Sequence, residues 1–359
     1  MTAQDPAPFV KCVVWDLDDT LWRGTLVEGD DVVLDEATVE VLRTLDERGI
    51  LHSIASANDA DAAMAALERL GVAEYFLVPQ IGWGAKSLSV QAVADALNIG
   101  VDSLAFVDDQ PFNLQEVAHS LPAVRCLPAD MIPQLAGLPE FSPPVSSESG
   151  SRRAMYRSMH TRDAAERDFD GPPQQFLDGL GMVCTVAAAE PDDLARVEEL
   201  TIRTHQLNTT GIAYGRAELR ALASAPTHRV LVVGLEDRYG VYGTIGLALL
   251  AVGDDGDWTL ELFLLSCRVL TRGVSSALLA GLAEVAREQG CVLRARFRPN
   301  DRNRAMNVAL RFAGFEQVAD DDGTLLLEHR KQIKAPSHID LRGLSQAIGA
   351  VAVESGGHS

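Results

Sequence analysis

Basic residues are in short supply in this chain: 31 Lys and Arg stand against 51 Asp and Glu, a formal net charge of -20. That balance argues against a phosphate-backbone binder, so no nucleic acid is expected as a partner. Cysteines are also few, five in all, and none falls in CxxC spacing. An odd, scattered set argues against a disulfide framework and a zinc knuckle, and it suits a reducing cytoplasm. No apolar run approaches the length of a membrane span, and no basic segment leads into an apolar one near residue 1. The expectation is a cytoplasmic protein with no membrane partner. At 359 residues the chain exceeds one ordinary core, which predicts two domains.

What is present is organised around Val13-Val14-Trp15-Asp16-Leu17-Asp18-Asp19-Thr20. A short apolar run reads as a buried strand, and two carboxylates two residues apart follow it. Residues i and i+2 share a face in a strand, so Asp16 and Asp18 begin side by side. Two like charges that close are costly unless a cation or a shared proton relieves them. A hard divalent ion such as Mg²⁺ is the usual relief. The chemistry that fits is a carboxylate nucleophile taking a phosphoryl group while a second carboxylate protonates the leaving oxygen.

Three further strands are expected in the first half. They cover 50–56, 75–78 and 103–107, and helices over 37–48, 60–70 and 88–97 alternate with them. Such alternation predicts a parallel, doubly wound sheet, whose ligands lie beyond the carboxyl ends of the strands. Asp16, Ser56, Lys86 and Asp109 all lie at or just after such ends. Prolines 128, 133, 139, 143 and 144 then mark linker material, and 152–168, with alternating charges, reads as a surface helix. The predicted division is 1–140, a linker with surface helix over 141–180, a second domain over 181–330, and a tail over 331–359. The second domain reads as antiparallel strands followed by a Gly-containing turn, Arg272-Gly273-Val274-Ser275, that opens a long helix.

The first-half constellation resembles the haloacid dehalogenase superfamily of phosphoryl-transfer enzymes, with a small cap or none. The second half resembles the α+β GNAT acyltransferase fold. That resemblance places Arg272 and Gly273 where backbone N–H groups hold a pyrophosphate. Ser275 replaces the second glycine of that pattern, which suits a carrier protein's pantetheine arm better than coenzyme A. Together the strings VVWDLDDTLW, SIASAND, WGAKS, FVDDQPF, RTHQLNTT and LLSCRVLTRG resemble the FkbH-like glyceryl transferase/phosphatases. In that family the chain implies a route from 1,3-bisphosphoglycerate to a glyceryl thioester on an acyl carrier protein, for polyketide extender units.

The resemblance implies roles residue by residue. Asp16 is the phosphatase nucleophile, Asp18 its acid/base, and Lys86 the neutralising cation. Thr20, Ser56 and Asn58 bind substrate, and Asp16, Asp18, Asp108 and Asp109 form the Mg²⁺ set. In the second domain Cys267 is the acylated nucleophile, beside two arginines and a helix start that favour a thiolate and steer an anion. His205 is a candidate base, standing where Asn is expected, and Asn113 stands where an acid is expected. Arg268, Arg272, Gly273 and Asn300 are the substrate-binding set. Arg272, Arg298 and Arg302 are expected to meet an acidic carrier or its phosphate. The alternative reading is a Mg²⁺ phosphatase whose second domain only binds a partner.

Overall fold

Four apolar residues in a row, Cys12–Trp15, form strand β1 with no exposure on either face. A strand covered on both sides belongs at the centre of a parallel sheet, and β1 takes that place. The computed structural model describes residues 9–349, and the chain divides between Arg157 and Ser158 into two compact units.

In the first unit β1 is followed by helix α1 (Glu36–Glu47), β2 (Leu51–Ser56), α2 (Ala60–Arg69), β3 (Gln80–Ile81), α3 (Lys86–Leu97), β4 (Leu104–Asp108), α4 (Pro111–Ser120) and β5 (Arg125–Pro128). The sheet order is β3-β2-β1-β4-β5, with every pairing parallel. The doubly wound core expected from the sequence is therefore present. Between β1 and α1 the chain makes only a small flap, tied by the Arg23–Val33 bridge, and α2 begins four residues after β2 ends. Among the described residues of the first unit, neither connection carries a large insertion.

The expected strand over Tyr75–Val78 does not form. Residues 73–75 make a single 3₁₀ turn, Phe76 only bridges His52, and Val78 sits at φ 47. A β-branched residue in the left-handed region is a steric outlier, and it ends any extended run there. The strand comes two residues later, at Gln80–Ile81.

The second unit begins within helix α5 (Arg152–Arg167), then carries α6 (Pro173–Asp178), β6 (Met182–Ala188), α7 (Leu194–Arg203), α8 (Arg216–Ser224), β7 (His228–Asp237), β8 (Gly240–Val252), β9 (Trp258–Leu265), α9 (Val274–Glu288), β10 (Leu293–Phe297), α10 (Arg304–Phe312), β11 (Phe315–Asp321), β12 (Thr324–His329), β13 (Ile339–Arg342) and α11 (Leu344–Ile348). One sheet runs β11-β12-β10-β9-β8-β7-β6-β13. Phe176, Leu278, Leu282, Met306 and Leu310 pack on one face of it; Leu194, Val197 and Leu219 pack on the other.

Two features depart from the reading of the sequence. Helix 152–167 is not simply a surface helix, because Arg162 is 1% exposed and forms a bidentate pair with Asp237. The segment after Arg330 is also more than a tail, since β13 pairs in parallel with β6. Its packing needs a gap in α9: a Cβ at Gly281 would lie 2.5 Å from Leu341.

β9 and β10 pair in parallel over only three positions, from Trp258–Leu293 to Leu260–Ala295. Beyond them the strands part, and the segment after α7 takes the vacated edge of β9. Leu265 N–H donates to Leu207 O at 2.9 Å, and Thr209 N–H donates to Phe263 O at 3.0 Å. This divergence makes the second candidate site.

Candidate active sites

The first site lies at the carboxyl ends of β1, β2 and β4. Immediately after β1 the chain leaves the strand through Asp18 (φ -65, ψ 132) and Asp19 (φ 50, ψ 11). Asp tolerates the left-handed region better than most residues, and the Asp19 carboxylate accepts the Gly24 N–H at 2.9 Å to hold the turn. The result aims Asp16 across the sheet end toward Lys86 and Asp108.

Lys86 Nζ donates to Asp16 Oδ1, and at 2.7 Å to the carbonyl of Ala55. It also lies 3.5 Å from Asp108. Carboxylate oxygens of Asp16, Asp108 and Asp109 lie within 4.8 Å of one another. Burial is the main cause that raises the carboxyl pKa of all three; Asp108 adds to the effect on Asp16, and Asp16 to that on Asp109. One ammonium among three crowded carboxylates leaves negative charge uncompensated, and an all-oxygen donor set is what Mg²⁺ accepts. The residues present therefore fit that ion, with Asp16, Asp108 and Asp109 as its holders.

Asp18 is engaged differently. Its Oδ1 accepts from Trp22 Nε1 at 2.9 Å and from Leu26 N–H at 3.1 Å, while Oδ2 accepts from Asn58 Nδ2 at 2.9 Å. Its carboxylate lies outside the three-carboxylate group. Asn58 also donates to Ser56 Oγ at 3.2 Å, so of the two expected substrate contacts Asn58 meets Asp18 directly and Ser56 is joined to it through Asn58. Thr20 Oγ1 accepts the Asp109 N–H at 2.9 Å and donates to its carboxylate at 3.4 Å.

Two supports have roles that the sequence does not reveal, although Asn113 departs from the acid expected at its position. Asn113 Nδ2 donates to both oxygens of Asp108 at 3.1 Å, so an amide rather than an acid faces this buried carboxylate. Glu116 accepts the Ser87 N–H at 2.9 Å and also takes the Ser87 hydroxyl, holding the first turn of α3 and with it Lys86. Only the spacing of Asn113 and Glu116 on one face of α4 could have hinted at either.

In the second unit Cys267 opens a short 3₁₀ turn, Cys267–Val269, just beyond β9 and is half-buried. The pairs 209–263, 208–264 and 207–265 set an antiparallel register. Cys267 and His205 each lie two residues beyond the last of these pairs, outside the ladder itself. The remaining cysteines sit where burial keeps them as thiols. Cys126 is pushed up to about 11 and Cys184 to about 12, Cys12 is raised further, and Cys291 is raised as well.

Two of the expected arginines, Arg268 and Arg272, do not reach outward. Arg268 is 8% exposed and donates to Tyr242 O at 2.9 Å and to Ser266 Oγ at 3.2 Å. Arg272 is 3% exposed, with Asp163 and Glu166 each at 2.6 Å. Arg272, expected to meet a partner, is here held by ion pairs to two part-exposed acids. Arg298 and Arg302 are exposed.

Asn300 accepts the N–H groups of Arg302 and Asn303 at 2.9 Å, a turn-stabilising role. Asn303, which the sequence reading passed over, is 1% exposed and donates to Asn208 O (3.1 Å) and Arg298 O (2.9 Å). It therefore fastens the inserted segment to the end of β10. A groove of about 520 Å³ lies alongside, lined by Leu207, Leu270, Ser275, Ser276 and the exposed side of α10.

No protein-family profile and no curated protein matches the chain. Solved structures do. The N-terminal part of the Bacteroides fragilis protein BF1531, which contains a phosphatase domain complexed with Mg, is 28% identical with a TM-score of 0.31. The match covers 33% of this chain and 36% of that one, so the chain spans about a third of that structure's length. The GNAT domain of S. lividans PAT is 22% identical over 40% of this chain and 88% of its own, with a TM-score of 0.32. The aminoglycoside acetyltransferase AAC(6')-Ib in complex with coenzyme A is 18% identical, covering 40% and 92%, also with a TM-score of 0.32.

Proposed function

We propose that this chain is a two-site enzyme that captures the glyceryl unit of 1,3-bisphosphoglycerate as a thioester, removes its remaining phosphate and passes glyceryl to an acyl carrier protein. The carrying observation is the Asp16–Lys86–Asp108–Asp109 cluster, three convergent carboxylates around one ammonium at the open end of a parallel sheet. The sequence motifs around Cys267 supply the acyl-transfer half of the reading.

The Cys267 sulfur attacks the acyl carbon of the mixed anhydride and expels inorganic phosphate, with His205 taking the thiol proton. This leaves a phosphoglyceryl thioester. At the first site an Asp16 oxygen attacks phosphorus, and Asp18 gives a proton to the departing glyceryl oxygen. Water then cleaves the aspartyl phosphate, with Asp18 as base. Lys86 holds the Asp16 carboxylate toward the phosphoryl group, and Ser56 offers it a hydroxyl. Mg²⁺ held by Asp16, Asp108 and Asp109 would neutralise charge on the phosphoryl oxygens. A carrier thiol finally takes the glyceryl group by thioester exchange, a step near energetic balance that depends on positioning.

Trp83 and Phe112, close in sequence to Lys86 and Asp109, are 75% and 76% exposed. Exposed aromatics beside a site without a large cap favour a phosphate borne on a large substrate over a small free one.

The test is phosphate release from 1,3-bisphosphoglycerate. EDTA should stop removal of the ester phosphate and Mg²⁺ should restore it, while Cys267→Ala should stop capture of the acyl group. Full turnover by Cys267→Ala would leave a plain phosphatase.

A further inference from the structure

The first N–H groups of a helix lack intrahelical partners and carry partial positive charge, which makes helix starts natural phosphate sites. The start of α9 is the place where an acyltransferase of this topology would hold the diphosphate of a nucleotide thioester. Here that place is taken by the chain itself. Arg272, the cation immediately before the helix, is clasped by Asp163 and Glu166 of α5, each at 2.6 Å. The two acids are 42% and 39% exposed at their side chains while Arg272 is nearly buried, so they form the outer surface of the pair. The next residue, Gly273, has φ 76, and a Cβ there would lie 3.3 Å from His338 and 3.6 Å from Pro336. His338 Nε2 lies 3.1 Å from the carbonyl of Arg272, and its Nδ1 lies 3.2 Å from Gln174.

We propose that Asp163 and Glu166 are specificity determinants that close the start of α9 to a diphosphate. The acyl acceptor is then a thiol on a carrier arm rather than free coenzyme A. Two carboxylates facing outward repel an incoming diphosphate and satisfy the cation that precedes the helix, while the 336–338 segment covers the turn. The nature of the acceptor rests on the acyl-transfer reading of Cys267. The closure does not, and it is measured by binding alone.

The experiment is calorimetric titration of the full-length protein with inorganic pyrophosphate and with coenzyme A. Wild type should bind both only weakly. Asp163→Asn/Glu166→Gln, which keeps the shapes and removes the charge, should bind pyrophosphate at least ~10-fold tighter than wild type, the scale of a recovered charge-assisted pair. Adding Arg272→Gln to the double variant should abolish the gain. Glu166→Gln alone, at a half-exposed position, should show a smaller gain and guards against misfolding of the double variant. Wild type binding either ligand as tightly as the double variant overturns the proposal. So does a folded double variant, judged by circular dichroism, that gains nothing. Failure of Cys267 acylation would instead sink the acyl-transfer reading and leave these titrations unaffected.

Discussion

Leu265 donates its backbone N–H to the carbonyl of Leu207 at 2.9 Å, the last rung of a ladder that leads toward Cys267 on one side and His205 on the other. The ladder exists because β9 and β10 part after three pairs, leaving an edge that the 207–209 segment fills. Asn303 locks that segment in place. Cys267 and His205, the proposed nucleophile and base, thus follow directly on segments whose register the backbone sets.

Replacing His205 with Ala should slow acylation of Cys267 by about 100-fold, the lower range for loss of a positioned general base. The measurement is the rate of adduct formation by rapid-quench mass spectrometry at several pH values. If His205 acts as the base, the deficit should shrink as pH rises and the thiolate forms unaided. An unchanged rate at neutral pH would remove His205 from the mechanism.

His52 offers a test of stability rather than activity. It is fully buried, accepts from Trp15 Nε1 at 3.1 Å, and its Nε2 lies 3.1 Å from the carbonyl of Leu42. Burial pushes its pKa down to about 3. A histidine depressed in the folded state binds protons more readily when unfolded. Its contribution is therefore complete above the ordinary histidine range and is lost as pH falls from about 6.5 toward 3. Asp16, Asp108 and Asp109 have raised pKa values and act in the opposite sense. Urea midpoints for wild type and His52→Gln should differ in slope across that window, with the variant losing less stability on acidification. Parallel curves would mean His52 is not buried as described.

The exposed side of α10 carries Arg304, Val308, Arg311 and Phe312, at helical spacing beside the groove; Val308 is 47% and Phe312 78% exposed. An apolar stripe between arginines, on a chain of net charge -20, suits an acidic carrier. Arg304→Glu/Arg311→Glu should slow glyceryl transfer at low salt, with the difference fading as salt screens the charges. Self-acylation should stay at the wild-type rate. Equal transfer rates through a salt titration would place docking elsewhere.

The first site was largely legible in the sequence because each of its acids ends an apolar run. Asp16 follows Val13-Val14-Trp15, and Asp108 follows Ala105-Phe106-Val107, so strand ends and ligands were read together. Its supports were less legible: Asn113 stood out only as a departure from an expected acid, and Glu116 acts on Ser87, which only the packing of α3 against α4 brings near. The pairing of Arg272 with Asp163 and Glu166 spans more than a hundred residues, and no local pattern encodes it. Strand β13 is four residues long, too short for its alternation to stand out, and its place depends on the missing side chain of Gly281.

The central claim is that two half-reactions act in sequence on one glyceryl unit, and Asp16→Asn separates them. After incubation with 1,3-bisphosphoglycerate and Mg²⁺, intact-protein mass spectrometry of this variant should show a phosphoglyceryl adduct that peptide mapping places on Cys267. Wild type treated alike should carry the glyceryl group without phosphate. An Asp16→Asn protein bearing only the dephosphorylated group, or a wild type bearing no adduct, would contradict the account.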